Sequence, residues 1–197
     1  ILSNVRKDDQ DLEEILTSLG IKSLIKIRSG MMLPVKIQYK TPQTLGNDRL
    51  ANVCAASVLF PGHNLLIIDI GTCIKYDVVR TDLSYPGGAI SPGLRMRYKS
   101  LSTFTGKLPY FKPSDEEIPL IGASTEASIR SGVENGIIEE INGMAEQLSR
   151  ELPDLKLILT GGDYDRFINK LKKSVIFADK DLTLIGLHEI LKLNEPH

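Results

Sequence analysis

The stretch NLLIIDIGTCIKYDVV at residues 64–79 limits the possible folds more than any other part of this sequence. Its first half is a continuous apolar run typical of a buried strand, and its second half is typical of another strand. The Gly-Thr pair between the two halves predicts a tight turn. We therefore expect a hairpin inside a sheet, with its turn in contact with a ligand.

Strands and helices alternate before the hairpin. We expect a short buried strand at residues 1–5, a helix that Asp8 or Asp9 caps, and a strand at residues 35–40. A helix of small residues should then run from Leu50 to a PGHN turn.

The same alternation continues after the hairpin. Residues 85–93 predict a glycine-rich loop that leads into a helix. A proline-rich loop, a long helix with internal glycines and two further strand-helix pairs follow it. This order is typical of α/β proteins. The PGHN turn predicts a boundary between the remainder of an N-terminal α/β domain, residues 1–62, and a C-terminal α/β domain, residues 63–197.

The composition excludes several classes of protein. Hydrophobic residues make up 42% of the chain and charged residues 25%, as in ordinary soluble globular proteins. The net charge of −1 argues against a nucleic-acid or membrane-surface partner. Two cysteines cannot form a disulfide framework, and neither a signal peptide nor an apolar run of membrane-spanning length is evident. We therefore expect a cytoplasmic setting.

Asp69 lies at the end of the apolar run and is followed by Gly71 and Thr72. This order would place a carboxylate, bare backbone N–H groups and a hydroxyl around one small space, which suits a phosphate and its cation. An ordinary Asp-Gly turn explains the same residues equally well. Gly-Gly turns at residues 87–88 and 161–162 could also bind anions, and three such turns together favour a nucleotide cleft.

Asp48 and Arg49 lie where an apolar helix begins. An aspartate just after Gly46 is most simply a helix N-cap. A carboxylate beside a cleft can also orient an attacking hydroxyl or accept its proton, and the planar donor fork of arginine can bind a carboxylate or amide. The two residues could therefore supply a base and an anchor on one turn.

Five segments together resemble the type III pantothenate kinases, which belong to the actin-like, acetate and sugar kinase superfamily. They are YKTPQTLGNDRLAN, IDIGTCIKYD, YPGGAISPGLRMRYKSLSTFTGKLP, IGASTEASIRSGVENGI and LTGG, in the order and spacing of that family. The most specific parts are the Gly-x-Asp-Arg turn, the Asp-x-Gly-Thr strand end and the Gly-Gly-x-Ile-x-Pro-Gly loop. The resemblance extends from residue 1 almost to the end of the chain.

This resemblance implies ATP-dependent phosphorylation of pantothenate, the first step of coenzyme A biosynthesis. Asp48 corresponds to the general base that takes the proton of the pantothenate hydroxyl. Tyr39 could instead pack into the core, and Thr125 could instead be a helix N-cap. The residues that the resemblance assigns to the pantothenate pocket are Tyr39, Gly46, Asn47, Asp48, Arg49 and Thr125.

The resemblance also implies the cofactors, the fold and the assembly. Asp69 corresponds to a ligand of an activating monovalent cation, K⁺ or NH₄⁺, and Gly71 and Thr72 to residues that contact ATP. The implied fold has two actin-like, ribonuclease H-like α/β halves around a nucleotide cleft, with the first half incomplete in this chain. The implied assembly is a homodimer whose pantothenate pocket uses both subunits. This reading requires Asp48 and Asp69 to lie together at a common pocket.

The sequence departs from the family in three places. The family begins with an Asp-x-Gly-Asn-Thr strand that cradles ATP phosphates and helps to bind Mg²⁺; these 197 residues lack that segment, so we expect the isolated polypeptide to bind ATP poorly. Cys73 and Lys75 replace a common alanine and threonine. Lys75 could reach a phosphate, but we expect an exposed strand lysine. Ser124 replaces an asparagine, which removes an amide from the pocket.

Two other functions fit parts of this pattern. A relative without the first phosphate-binding strand could be an accessory or regulatory binding protein, which need bind neither pantothenate nor ATP. Another actin-like kinase would share the phosphate-binding apparatus and act on a different small molecule.

Overall fold

The computed structural model describes residues 14–16, 18–20, 25–28 and 30–195. The strand predicted at residues 1–5 and the predicted capping residues Asp8 and Asp9 lie outside the described residues. In chain order the strands are β1 (Lys36–Ile37), β2 (Leu65–Ile70), β3 (Cys73–Val79), β4 (Ser84–Tyr85), β5 (Gly87–Pro92), β6 (Lys156–Thr160) and β7 (Val175–Ala178).

Residues 14–16 and 18 are helical, within the helix predicted after Asp8 or Asp9, and six further α-helices follow in the described ranges. In chain order they are α1 (Asn47–Leu59), α2 (Leu94–Phe104), α3 (Thr125–Arg130), α4 (Gly136–Glu151), α5 (Asp165–Ile168) and α6 (Leu182–Asn194). A 3₁₀ turn at Pro42–Thr44 precedes α1, and a π-helical turn at Ser131–Asn135 joins α3 to α4. The long helix predicted with internal glycines is therefore three helical segments without an intervening loop.

The hairpin predicted at residues 64–79 is confirmed. β2 is buried along its whole length and pairs antiparallel with β3, with Leu65 opposite Val79 and Asp69 opposite Lys75. The two strands lie inside a five-stranded sheet of order β5-β3-β2-β6-β7. β2, β6 and β7 run parallel, whereas β3 and β5 run antiparallel to their neighbours. The sheet is thus mixed, and the chain has an α/β fold.

The glycine-rich loop predicted at residues 85–93 is wrong in part, because Gly87–Pro92 forms the edge strand β5. Gly88 explains the difference, since a side chain there would overlap the backbone carbonyl of Tyr76 on β3. Glycine in a strand usually weakens it, but here it permits close pairing of two backbones. The helix predicted after this segment is confirmed as α2.

The strand predicted at residues 35–40 is reduced to two residues, which pair in parallel with β4. The helix predicted from Leu50 is confirmed but begins earlier, at Asn47. The earlier start matters because it places Asp48 and Arg49 in the first turn of α1.

The sheet has an apolar core on each face. On one face, α1 and α6 cover Leu65, Ile67 and Val79, and α6 approaches so closely that a side chain at Gly186 would overlap the Ala51 carbonyl. The other face is covered by α2 to α5, and its cluster includes Ile68, Tyr76, Leu94, Ile137 and Phe167. Because side chains alternate along a strand, Asp69, Lys75 and Asp77 share the face of α1 and α6.

The apolar core on the α1 face contains residues from both sides of the predicted domain boundary between residues 62 and 63. Val35 and Leu50 lie in the same buried cluster as Ile67 and Ile158. The division into two domains stays a prediction.

Candidate functional site

The β2–β3 register places Asp69 next to Lys75. The two residues are direct partners in the antiparallel ladder, so their side chains leave the sheet on the same face. Lys75 Nζ donates a hydrogen bond of 2.8 Å to Asp69 Oδ2. The carboxyl end of β2 therefore presents an ion pair rather than a lone carboxylate.

The first turn of α1 brings Asp48 to the same place. Gly46 is the N-cap residue of the helix, so the prediction that Asp48 is the N-cap is wrong. Asp48 Oδ1 instead accepts from the backbone N–H of Arg49 at 2.8 Å, and Oδ2 accepts from Lys75 Nζ at 2.6 Å. The Asp48 side chain is 41% exposed, so it remains open to a ligand.

Asp48 and Asp69 therefore contact the same ammonium group. The expectation that these two carboxylates lie together is confirmed, and their position at a common pocket stays a prediction. The expectation for Lys75 is wrong, because its side chain is only 20% exposed and is held between the carboxylates. We call Asp48, Asp69 and Lys75 the carboxylate–lysine cluster.

The opposite charges in this cluster stabilise one another. Burial opposes ionisation of Asp48, but the hydrogen bond and the positive charge of Lys75 outweigh burial and leave the pKa of Asp48 below its ordinary value. Burial likewise opposes the charge on Lys75, but its hydrogen bonds to Asp48 and Asp69 hold its pKa above the ordinary lysine value. At neutral pH the cluster therefore contains an ionised Asp48 and a cationic Lys75.

Behind the cluster, Arg49 makes an ion pair with Asp77, a residue that the sequence did not single out. Arg49 donates to Asp77 Oδ1 from Nε at 3.0 Å and from Nη2 at 2.6 Å. Tyr85 donates a further hydrogen bond of 2.7 Å to the same oxygen. Two of the three guanidinium nitrogens of Arg49 are thus committed to Asp77, and the predicted contact with substrate stays a prediction. Asp77 could have been noticed from its position two residues after Lys75 on the same strand face.

Tyr39 lies at the edge of the same group. Its ring stacks on Tyr85 with centroids 6.2 Å apart, and the Arg49 guanidinium carbon lies 5.6 Å from the ring centroid. Tyr39 is partly buried and packs against the core on the α1 face. This packing agrees with the alternative of a core residue, and its contact with pantothenate stays a prediction.

Two of the three glycine turns predicted to bind anions, Gly71-Thr72 and Gly161-Gly162, meet at the carboxyl ends of β2 and β6. The third prediction is wrong, because Gly87 and Gly88 lie in β5, opposite Val78 and Asp77 of β3. The Asp163 N–H donates to the Ile70 carbonyl at 2.9 Å, and the Gly93 N–H donates to the Thr72 carbonyl at 3.0 Å. Gly161, at φ +93°, lies so close to Asp69 that a side chain there would overlap the carboxylate. Thr72 is exposed at the tip of the hairpin. The Gly71-Thr72 and Gly161-Gly162 turns therefore border the carboxylate–lysine cluster.

Thr125 lies in a different place. It lines a groove of about 1010 Å³ together with residues of α2, such as Arg97 and Ser100. The N-cap of α3 is Ser124, whose side chain accepts from the Ala127 N–H, so the alternative of Thr125 as N-cap is wrong. The helices around this groove cover the sheet face opposite to α1. Within this chain, Thr125 and Asp48 therefore lie on different sides of the sheet.

Comparison with known proteins identifies the family. The model of the type III pantothenate kinase family matches residues 1–147. A type III pantothenate kinase from Phocaeicola vulgatus is 49% identical over 173 residues, covering 88% of this chain and 71% of the relative. One from Christiangramia forsetii is 48% identical over 195 residues, covering 99% and 79%. The chain belongs to the type III pantothenate kinase family.

A solved structure agrees with this assignment at the level of the fold. The crystal structure of a conserved putative Baf family transcriptional activator from Campylobacter jejuni matches with a TM-score of 0.62. It is 24% identical and covers 97% of this chain and 80% of the other, so the likeness concerns the fold alone.

Membership of the type III pantothenate kinase family confirms the resemblance and implies ATP as the phosphoryl donor. Among the residues that the structure describes, no group of three or more His, Cys, Asp or Glu side chains could hold a metal ion. Mg²⁺ in kinases is commonly bound through substrate phosphates with one or two carboxylates, so the described residues do not identify a magnesium site. No helix within the described ranges has the length and apolarity needed to cross a membrane.

Proposed function

We propose that this protein transfers the γ-phosphoryl group of ATP to the primary hydroxyl of pantothenate and releases 4′-phosphopantothenate, the first intermediate of coenzyme A biosynthesis. The observation that carries the proposal is the carboxylate–lysine cluster, where a half-exposed Asp48 lies beside Asp69 at the carboxyl end of a central strand. Ligands of open α/β sheets bind at this end of the strands. Family membership supplies the identity of the substrate.

Asp48 is proposed to orient the attacking hydroxyl. An ionised carboxylate accepts a hydrogen bond from an alcohol and thereby fixes the direction of the oxygen lone pair. Its lowered pKa makes Asp48 a weak base, which suits phosphoryl transfer because the transition state is loose and places little demand on early proton removal. Asp48 then accepts the proton as the new oxygen–phosphorus bond forms.

The nucleotide is proposed to bind beside the same cluster. The exposed hydroxyl of Thr72 can donate to a phosphate oxygen, and Gly71 lets the backbone of the turn approach closely. A side chain at Gly162 would point into open space, so this turn leaves room for a ligand. Phosphate next to Asp48 and Asp69 requires positive charge, which Lys75 provides among the described residues.

The two actin-like halves and the homodimer are part of the proposal. Thr125 can contribute to pantothenate binding if its groove faces the Asp48 region of a second copy. Exposed apolar side chains near this groove support such a contact, since Phe104, Leu120 and Ile121 are 85%, 79% and 85% exposed.

The test is product formation by the full-length product of the gene that encodes this chain. The enzyme is incubated with ATP, Mg²⁺, K⁺ and pantothenate, and 4′-phosphopantothenate is measured by mass spectrometry. The Phocaeicola vulgatus relative serves as a matched reference. ATP-dependent formation of the product supports the proposal. ADP release with another alcohol from a substrate panel, but not with pantothenate, would assign a different substrate.

Calorimetric titration with pantothenate and ATP distinguishes a kinase from a regulatory binding protein. A kinase binds both compounds, whereas an accessory protein need bind neither. A well-folded protein that binds neither compound would refute the proposed function.

A further inference from the structure

Lys75 is a residue of the site to which the family resemblance assigns no role. Its ammonium group bridges Asp48 and Asp69 with hydrogen bonds of 2.6 and 2.8 Å. The bridge follows from the backbone, because the antiparallel register fixes Lys75 opposite Asp69 on the face that α1 covers. The pairing of the two strands therefore keeps the Lys75 side chain next to Asp69.

The bridge meets a need that the carboxylates create. Asp48, Asp69 and Asp77 place three acidic side chains on one small area, and Arg49 is committed to Asp77. Without a further cation, the negative charges of Asp48 and Asp69 would repel each other. The pair therefore requires one positive charge between its oxygens.

The family resemblance assigns Asp69 as a ligand of K⁺ or NH₄⁺, and such an ion would supply the positive charge. In this chain Asp69 Oδ2 already faces an ammonium at hydrogen-bonding distance. A second cation on the same oxygen would meet the charge of Lys75 at short range in a largely buried site, since Asp69 is 12% exposed. At Asp69 Oδ2 the residues present therefore do not fit a free monovalent cation.

We propose that Lys75 is a tethered ammonium ion that replaces the activating monovalent cation of this site, so that the protein binds its substrate and turns over without added K⁺ or NH₄⁺. The lysine ammonium is a compact charge with three donors, as is ammonium itself. Two of these donors hold Asp48 and Asp69 in place. The third has no partner among the described residues and is available to a phosphate oxygen.

The statement about turnover rests on the proposed function, whereas the statement that Lys75 replaces the cation does not. The first test therefore measures stability and not catalysis. The thermal unfolding midpoint is measured for the full-length protein in KCl, NH₄Cl and tetramethylammonium chloride at equal ionic strength. The test variant is Lys75→Thr, which introduces the threonine that the family resemblance implies at this position. The control is Lys180→Thr, which removes an exposed lysine in a turn outside the cluster.

The wild-type protein and the control should show the same midpoint in all three salts. Lys75→Thr should melt lower in tetramethylammonium chloride and gain about 5–10 °C at saturating KCl or NH₄Cl, because an ion that binds only the folded state stabilises it by mass action. A K⁺-specific rise in the wild-type protein would overturn the proposal. So would a folded Lys75→Thr protein whose midpoint is the same in all three salts.

Lys75→Met provides a second variant of similar length without the charge, for use if Lys75→Thr does not fold. It is judged by the same salt comparison, and failure of both variants to fold even in KCl would overturn the proposal, because a free ion could then not replace the ammonium.

Turnover gives the second measurement. Replacing K⁺ by tetramethylammonium should leave the wild-type rate unchanged and reduce the Lys75→Thr rate at least about 10-fold. If the protein does not phosphorylate pantothenate, the proposed function fails while the melting experiment still decides the role of Lys75.

Discussion

Replacing Asp77 by asparagine tests the buried ion pair that supports the candidate site. The change keeps the shape of the side chain but removes the charge that faces Arg49. Arg49 is 5% exposed and Asp77 is 1% exposed, so water cannot take over the lost interaction. The amide oxygen can take the place of Oδ1, which accepts from both Arg49 nitrogens and from Tyr85, but it brings no negative charge. The amide nitrogen would replace Oδ2, which accepts from Arg49 Nε at 3.3 Å, and would place a donor against a donor.

The expected loss is large because the arginine stays buried. Removing one partner of a buried ion pair typically costs about 3–5 kcal/mol of the free energy of unfolding. For a chain of this length, such a loss corresponds to a fall of about 6–20 °C in the unfolding midpoint. Both side chains are almost fully buried, so we make no reduction for screening by solvent.

The assay is urea-induced unfolding followed by far-ultraviolet circular dichroism, with the thermal midpoint as a second measure. Glu146→Gln is the matched control, because Glu146 pairs with Arg150 on the surface and the two side chains are 69% and 72% exposed. This control should unfold like the wild-type protein. An Asp77→Asn protein that loses less than about 1 kcal/mol would refute the reasoning, since the guanidinium would then be satisfied in some other way.

Three further predictions follow from other contacts. Gly161→Ala should disturb Asp69 and cost about 1–3 kcal/mol of the free energy of unfolding, because Gly161 has φ +93° and a methyl group there would overlap the carboxylate; urea unfolding of the variant measures this cost. Cys54 is completely buried, and burial raises the pKa of its thiol to about 12, so a thiol reagent should modify it only after the protein is unfolded. Burial opposes ionisation of Glu140, but hydrogen bonds from Ser91 and Arg97 outweigh it and hold the pKa of Glu140 below its ordinary value of 4.5. A carboxylate with a lowered pKa stabilises the folded state above its unfolded pKa, so Glu140→Gln should be less stable than wild type at pH 7. The difference should shrink as the pH falls below 4.5 and vanish once the pH is below the lowered pKa of Glu140 in the folded protein.

The central strands were predictable from sequence because their signal is local. A continuous apolar run followed by Gly-Thr leaves few alternatives to a buried hairpin, and β2 and β3 occupy the expected residues. β5 was missed because the reason for its glycines is not local. Gly88 is required by the approach of the Tyr76 carbonyl on another strand, and that distance cannot be calculated from a single segment.

The positions of Asp48 and Asp69 were predictable from sequence, whereas the partners of Lys75 and Arg49 were not. Asp48 and Asp69 follow patterns of neighbouring residues, and the structure brings them together. The role of Lys75 depends on its register opposite Asp69, and the role of Arg49 depends on Asp77 across the helix–sheet interface. Such pairings follow from tertiary packing, so residue type and spacing along the chain do not reveal them.

The rate of 4′-phosphopantothenate formation by Asp48→Asn tests the central claim most directly. The variant keeps the size of the side chain and one acceptor oxygen for Lys75 but cannot accept the proton of the pantothenate hydroxyl. We predict a fall of about 100- to 10,000-fold in turnover relative to wild type and to Glu146→Gln, with circular dichroism that remains that of a folded protein. A turnover equal to that of wild type would contradict the account, because the group proposed to receive the proton would then be dispensable.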